Sequence, residues 1–350
     1  MLFLNEHNTA TYLLEHGHVA SADEVHVTPL SGGVSNVVLL VSFPDGRRED
    51  FVVKQARERL RTPDPWYCTV ARIWRETAVL RTLENVVPDG RTPRILFDDK
   101  ENFLFAMSAA PREHHVWKQQ LLEGQVDEQI ARECGELLAA IHVGTWRDAQ
   151  IEAEFGDREV FRALRIDPYY RATAHAHPDD APKFEALIES VETHPRCLVH
   201  ADFSPKNLLV FDGGMMMVDF ETGHFGDPAF DVGFFLSHLI LKAFNKAPRY
   251  EPYVRLTERF WQAYKEKVAP HVGRPEYDDL VWRSVWNFAG CAWSRLDGTS
   301  GIDYLNDNKR RETVRGLCRR WIARPPVDWS TILEDCRPSL ASFASGVAEQ

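Results

Sequence analysis

The sequence predicts an α+β fold in two unequal lobes. A small antiparallel-sheet lobe with one helix covers residues 1–110, and a larger helical lobe covers residues 111–350. Three observations carry this. The first hundred residues hold short runs of β-branched and aromatic residues, separated by turns rich in glycine and aspartate. From Pro111 onward, apolar residues recur at helical spacing over much longer segments. A chain of 350 residues, 44% of them hydrophobic, is also long enough for two cores.

In the small lobe, residues 25–30, 37–43 and 51–55 read as strands. Ser31-Gly32-Gly33 separates the first two, and Pro44-Asp45-Gly46, a hairpin signal, separates the next two. Ile73, Thr77, Leu80 and Leu83 lie on one face of a helix over 70–83. Residues 95–97 and 103–107 flank the polar turn 98–102 and form another hairpin. In the large lobe, Ile130, Cys134, Leu137, Leu138 and Ile141 form an apolar stripe with Asp127 placed to cap it. Further helices are expected over 229–244, 253–268, 278–295 and 309–322. The apolar run 234–241 is far short of the ~20 residues of a membrane span and contains Ser237 and His238, so it reads as a buried helix.

The formal net charge of −11 argues against broad binding to nucleic acid or anionic membranes, both of which select basic surfaces. Cysteines 68, 134, 197, 291, 318 and 336 are scattered without C-x-x-C pairs, the pattern of reduced structural thiols. Residues 1–20 carry glutamate and histidine and no apolar signal core, which predicts a soluble, cytoplasmic protein. The chain has no G-x-x-x-x-G-K-[ST], no G-x-G-x-x-G and no G-x-S-x-G. P-loop kinases, dinucleotide oxidoreductases and serine hydrolases are therefore set aside.

The stretch LVHADFSPKNLLV, residues 198–210, encloses His200, Asp202 and Asn207 between two apolar runs. A loop pinned at both ends holds its side chains still, as catalysis requires. Met217-Val218-Asp219 reads as a strand ending in an aspartate, Asp219, twelve residues after Asn207. Phosphoryl transfer needs a carboxylate near the acceptor hydroxyl and hard oxygen ligands for Mg²⁺. An amide oxygen and a second carboxylate meet the latter need. In the small lobe, backbone donors of the turn around Gly32, Gly33, Ser35 and Asn36 are placed to close over phosphates. Lys54 follows on the next strand, and Glu76 on the following helix is the partner a buried lysine needs.

This combination resembles the aminoglycoside phosphotransferase and choline kinase group, small-molecule kinases with a protein-kinase-like fold. The resemblance implies that Asp202 is the catalytic aspartate, Asn207 and Asp219 hold magnesium, and His200 braces the loop. Asp231, in Gly226-Asp227-Pro228-Ala229-Phe230-Asp231, would tie that loop from below. It also implies ATP and Mg²⁺ as cofactors and, as acceptor, a hydroxyl of a small sugar-, aminoglycoside- or amino-alcohol-like metabolite. Lys54-Gln55-Ala56, Arg61, Trp66 and Arg75-Glu76 look like the small lobe of methylthioribose kinases. That group carries serine where this chain has Asn207, and proline where this chain has Phe220. The rival reading is a non-catalytic, nucleotide-binding pseudokinase with a regulatory role. Such a protein typically lacks one of Lys54, Asp202, Asn207 or Asp219, and all four are present. Arg311, Arg315 and Arg319 share one helix face, either a solvated basic face or an anion anchor at the acceptor end.

Overall fold

The computed structural model describes residues 2–30, 36–59 and 67–345. They fall into two compact units, Met1–His114 with Met216–Glu221, and His115–Met215 with Thr222–Gln350.

The first unit is built on five antiparallel strands: β1 (His26–Pro29), β2 (Asn36–Ser42), β3 (Phe51–Ala56), β4 (Ile95–Asp99) and β5 (Leu104–Ser108). Their order across the sheet is β1-β2-β3-β5-β4. β3 takes the centre, and all six of its residues are buried. Successive side chains on a strand face opposite ways. Phe51 and Val53 therefore join Leu39, Val41, Leu104 and Ala106 in a core that Leu4, Tyr12 and Leu13 close. Lys54, one position on, faces the other side, where the Arg72–Leu83 helix carries Glu76 to it. The helix Thr9–Glu15, which supplies Tyr12 and Leu13, adds a second helix to the one expected in this lobe. Gln55 ties the N-terminal segment to the sheet by accepting from Leu4 N at 2.9 Å and donating to Leu2 O at 2.6 Å.

The second unit is dominated by helices. Pro228–Lys246 begins with Asp227 accepting from Ala229 N at 3.0 Å and with proline at its first position, where the missing N–H costs nothing. Residues 228–244 are all buried. The helix packs closely on Arg274–Asp297, because a Cβ at Gly233 would lie 2.5 Å from Phe288 N and 2.6 Å from Ser284 O. Glu128–Gly144, capped as expected by Asp127, packs on Glu251–Val272. The expected helices are present, several of them extended by up to four residues at an end. Helices Trp117–Glu123, Ala149–Phe155, Ala181–Thr193 and Trp329–Ser345, and the π-helical segment Arg162–Arg171, were not foreseen. All six cysteines are buried and unbridged. Among the described residues no helix is long and apolar enough to cross a membrane.

Candidate active site

In the first unit, Lys54 is the hub. Its Nζ lies 2.7 Å from Glu76 Oε2, 2.9 Å from Glu76 Oε1 and 2.6 Å from Asp219 Oδ1. The Lys54 and Glu76 side chains are almost wholly buried, whereas the Asp219 carboxylate keeps 29% of its surface exposed. The strand Gly214–Met217 ends two residues before Asp219, and Asp219 itself sits at φ 73°. This corrects the expectation of a strand running into the aspartate. Aspartate tolerates this left-handed conformation better than most residues, and it turns the carboxylate towards Lys54. Phe220 N donates to Glu76 Oε1 at 3.3 Å. Glu221 Oε2 then accepts from Arg72 Nε at 3.1 Å and Asn36 Nδ2 at 2.9 Å, all three side chains being buried. Arg72 and Glu76 stand one turn apart on the same helix face, so one helix holds Glu221 and the Phe220 backbone while Lys54 holds Asp219.

Two cations, Lys54 and Arg72, face three carboxylates, Glu76, Asp219 and Glu221. Burial alone would push the Lys54 ammonium down, but Asp219, Glu76 and Glu221 outweigh it and hold its pKa well above the ordinary value. Burial, with Asp219 and Glu221 adding to it against the pull of Lys54, pushes Glu76 up to about 7. The folded form of Glu76 therefore takes up protons that the unfolded form, titrating near 4.5, releases. Its contribution favours folding fully below pH 4.5 and is lost as pH rises to about 7. Glu76→Gln is expected to flatten the pH dependence of stability across that window, read by urea denaturation at pH 5 and pH 7.5. A parent-like slope in the variant contradicts the assignment.

In the second unit, Asp202 sits in a loop held from beneath. Asp231 accepts from His200 N and Ala201 N, each at 2.7 Å, and pairs with His142 Nε2 at 3.3 Å. These bonds hold Ala201 at φ 58°, a conformation that costs a non-glycine residue about 1–2 kcal/mol. His200 Nδ1 accepts from Asp202 N at 3.1 Å, the brace the sequence suggested. Asp202 is only 2% exposed. Its Oδ2 accepts from Arg165 Nη2, Lys206 Nζ and Asn207 Nδ2, each at 2.8 Å. Asn207 Nδ2 also donates to Asp202 O at 3.0 Å, so the amide oxygen of Asn207 is the atom left to meet a cation. Arg165 escaped the sequence reading because nothing local links it to a residue 37 positions on; it sits in the π-helical segment Arg162–Arg171. Lys206, four residues after Asp202, was within sight of the motif.

Other expected positions resolve differently. Gly32, Gly33 and Ser35 lie outside the described residues, as do Arg61 and Trp66. Asn36 opens β2 with its side chain committed to Glu221 and Arg72. The three arginines of this face are engaged within the protein, although Arg319 stays half exposed. Arg315 pairs with Asp297 at 2.6 Å, Arg319 pairs with Asp180 at 2.9 Å, and Arg311 donates to Leu296 O at 2.5 Å. Spacing had identified a shared face but not the carboxylates opposite it. Trp293 is fully buried in the core, while Trp282 and Trp286 are half-buried.

Known proteins share this architecture. The chain is 24% identical over 362 residues to a methylthioribose kinase of Yersinia pseudotuberculosis serotype O:1b, covering 88% of this chain and 87% of that one. It is 25% identical over 252 residues to a methylthioribose kinase of Escherichia coli O45:K1, covering 64% of this chain and 59% of that one. The match thus spans about three fifths of the Escherichia coli protein's length. Among solved structures, a choline kinase from Cryptosporidium parvum superposes with a TM-score of 0.54 at 14% identity, covering 90% of this chain and 96% of that one. The amicoumacin kinase hAmiN, solved with AMP-PNP and Ca²⁺, superposes with a TM-score of 0.51 at 13% identity, covering 86% of this chain and 89% of that one. Both likenesses are of fold. The sequence model of the phosphotransferase enzyme family matches residues 26–276, well over half of the chain and all of the residues around Lys54 and Asp202 described above, and the chain belongs to that family.

Proposed function

We propose that this chain transfers the terminal phosphoryl group of ATP to a hydroxyl of a small metabolite. The observation that carries this reading is the buried ammonium of Lys54 held between Glu76 and the partly exposed Asp219. Flanking carboxylates of this kind offset the cost of burying an ammonium and fix its position. In this reading Lys54, kept charged by its carboxylates, pairs with phosphate oxygens of the nucleotide, and Glu76 positions it. The turn of Gly32, Gly33, Ser35 and Asn36 supplies backbone donors to the phosphates. Asp202 receives the acceptor hydroxyl and takes its proton as the oxygen–phosphorus bond forms and ADP leaves.

The two clusters also suit Mg²⁺. Asp219, in contact with Lys54, keeps 29% of its side chain exposed, and Asn207 donates through Nδ2, which leaves its amide oxygen to face a cation. Magnesium is commonly held by one or two protein oxygens together with nucleotide phosphates. Asp219 and Asn207 would hold it, and it would supply neutralisation of the charge on the transferred phosphoryl group.

The acceptors of relatives with recognised activities, methylthioribose and choline, define the range to search. Incubation with γ-labelled ATP and Mg²⁺ across a panel of sugars, amino alcohols, hydroxy acids and aminoglycosides is expected to label at least one acceptor, with labelling lost on chelation. Magnesium-dependent ATP binding with no labelled acceptor and no slow ATP hydrolysis would point instead to a regulatory pseudokinase.

A further inference from the structure

Beyond Asp202, the second unit holds a chain of cations that the roles above do not use. Arg165, which pairs with Asp202, lies 5.9 Å from the ring of Tyr169, and Arg295 lies 5.7 Å from the same ring while donating to Tyr169 Oη at 3.0 Å. Arg165 also lies 6.0 Å from the ring of Phe234, which meets His238 edge-on at 4.9 Å. Lys242, one turn after His238 on the Pro228–Lys246 helix, donates to His238 O at 3.2 Å. Its Nζ lies 5.2 Å from the ring of Tyr304, and Lys118 stands 6.0 Å from that ring. Among the described residues along this chain of contacts are five cations, Lys118, Arg165, Lys206, Lys242 and Arg295, and two carboxylates, Asp202 and the exposed Asp303.

The imbalance is greatest where the burial is deepest. Lys242 is buried yet enters no ion pair among the described residues; its contacts are a backbone carbonyl and the Tyr304 ring. Among the described residues, His238, 6% exposed, has no hydrogen-bond partner at Nε2, and Arg295 Nε and Tyr304 Oη are likewise buried without one. Burial pushes Lys242 down to about 7, with Lys118 and Arg295 adding to the effect and Asp303 opposing it. Burial, then Lys242, Arg295, Lys206 and Lys118, pushes His238 well below its ordinary value. Lys206 thus acts both on His238 and, by direct contact, on Asp202. A fold rarely leaves so many buried donors unanswered without a ligand to answer them. A cationic group would be repelled here, whereas an oxyanion supplies acceptors for all of them.

We infer that the acceptor carries an oxyanion, a carboxylate or a phosphate ester, seated against Lys242, Arg295 and Tyr304 beside the hydroxyl offered to Asp202. This rests on the phosphotransferase reading for the word acceptor, but the site itself is testable without it.

Acetate and inorganic phosphate, titrated by calorimetry into the nucleotide-free protein, are the probes. Saturable binding is expected for at least one, and which one binds separates a carboxylate from a phosphate ester. That binding should weaken at least tenfold in Lys242→Met and persist in Lys54→Met, which separates it from the nucleotide phosphates. Lys242→Met removes a buried charge with no carboxylate partner, so it should melt at or above the parent temperature, and lost binding cannot then be ascribed to unfolding. No binding of either anion at millimolar concentration, or binding that Lys242→Met leaves unchanged, overturns the inference. If anions bind through Lys242 and no acceptor is ever phosphorylated, the anion site stands and the phosphotransferase reading falls. If a neutral or cationic acceptor is phosphorylated with a KM indifferent to Lys242→Met, the phosphotransferase reading stands and the anion site falls.

Discussion

Asp202→Asn is expected to lower kcat by about 10²–10⁴-fold, the range a positioned general base contributes, with little change in KM for ATP. The substitution keeps the shape of the side chain but removes its charge and its capacity to take a proton. Arg165, Lys206 and Asn207 all donate to the same carboxylate oxygen, so Asp202 is held in one orientation. The asparagine oxygen can still accept from these donors, so the loop on Asp231 should survive and the melting temperature should fall only modestly. Steady-state kinetics on a labelled acceptor, with thermal melts run alongside, give the answer. Parent-level turnover in Asp202→Asn would remove it from the chemistry.

Lys54→Met is expected to destabilise the chain by about 3–5 kcal/mol at pH 7.5, because it strands a buried carboxylate. Glu76, wholly buried, accounts for most of this, since the partly exposed Asp219 is screened by water. The sign of the pH dependence follows from Glu76, which burial already pushes up to about 7 against the pull of the ammonium. Without Lys54 that pull is gone, the carboxyl protonates more readily, and its proton removes the stranded charge. The destabilisation should therefore shrink at pH 5, and Lys54→Met/Glu76→Gln should recover much of the loss at pH 7.5. Urea denaturation of parent, single and double variants at both pH values measures this. A Lys54→Met protein as stable as the parent at pH 7.5 would mean that the three side chains do not form the buried cluster described here.

How much of this was legible depended on how local each signal is. The strands of the first unit announced themselves because β-branched runs such as Val37-Val38-Leu39-Leu40-Val41 are punctuated by turn residues. The Lys54–Glu76 pair followed from the rule that buried lysines need partners, and the Asp202 loop from two apolar anchors around a polar insert. What stayed hidden was non-local. Residues 216–221 belong with the first unit because Lys54, Arg72 and Asn36 take hold of Asp219 and Glu221 across more than 140 positions, which no periodicity reports. The Thr9–Glu15 helix is too short to show a stripe, yet it completes the core beneath β3. Pro338 lies inside the Trp329–Ser345 helix and masks it, since proline ordinarily breaks such a pattern. The arginine periodicity of residues 311–319 was real, but its meaning lay in Asp297 and Asp180 on other elements.

The central claim is that Asp219 brings a divalent cation to a nucleotide whose phosphates Lys54 meets. Calorimetric titration of ATP with and without Mg²⁺, into the parent and into Asp219→Ala, tests it most directly. The parent should bind ATP markedly more tightly with Mg²⁺ present, and Asp219→Ala should bind it weakly and equally in both conditions. An Asp219→Ala protein that keeps the parent's full response to Mg²⁺ would contradict the account.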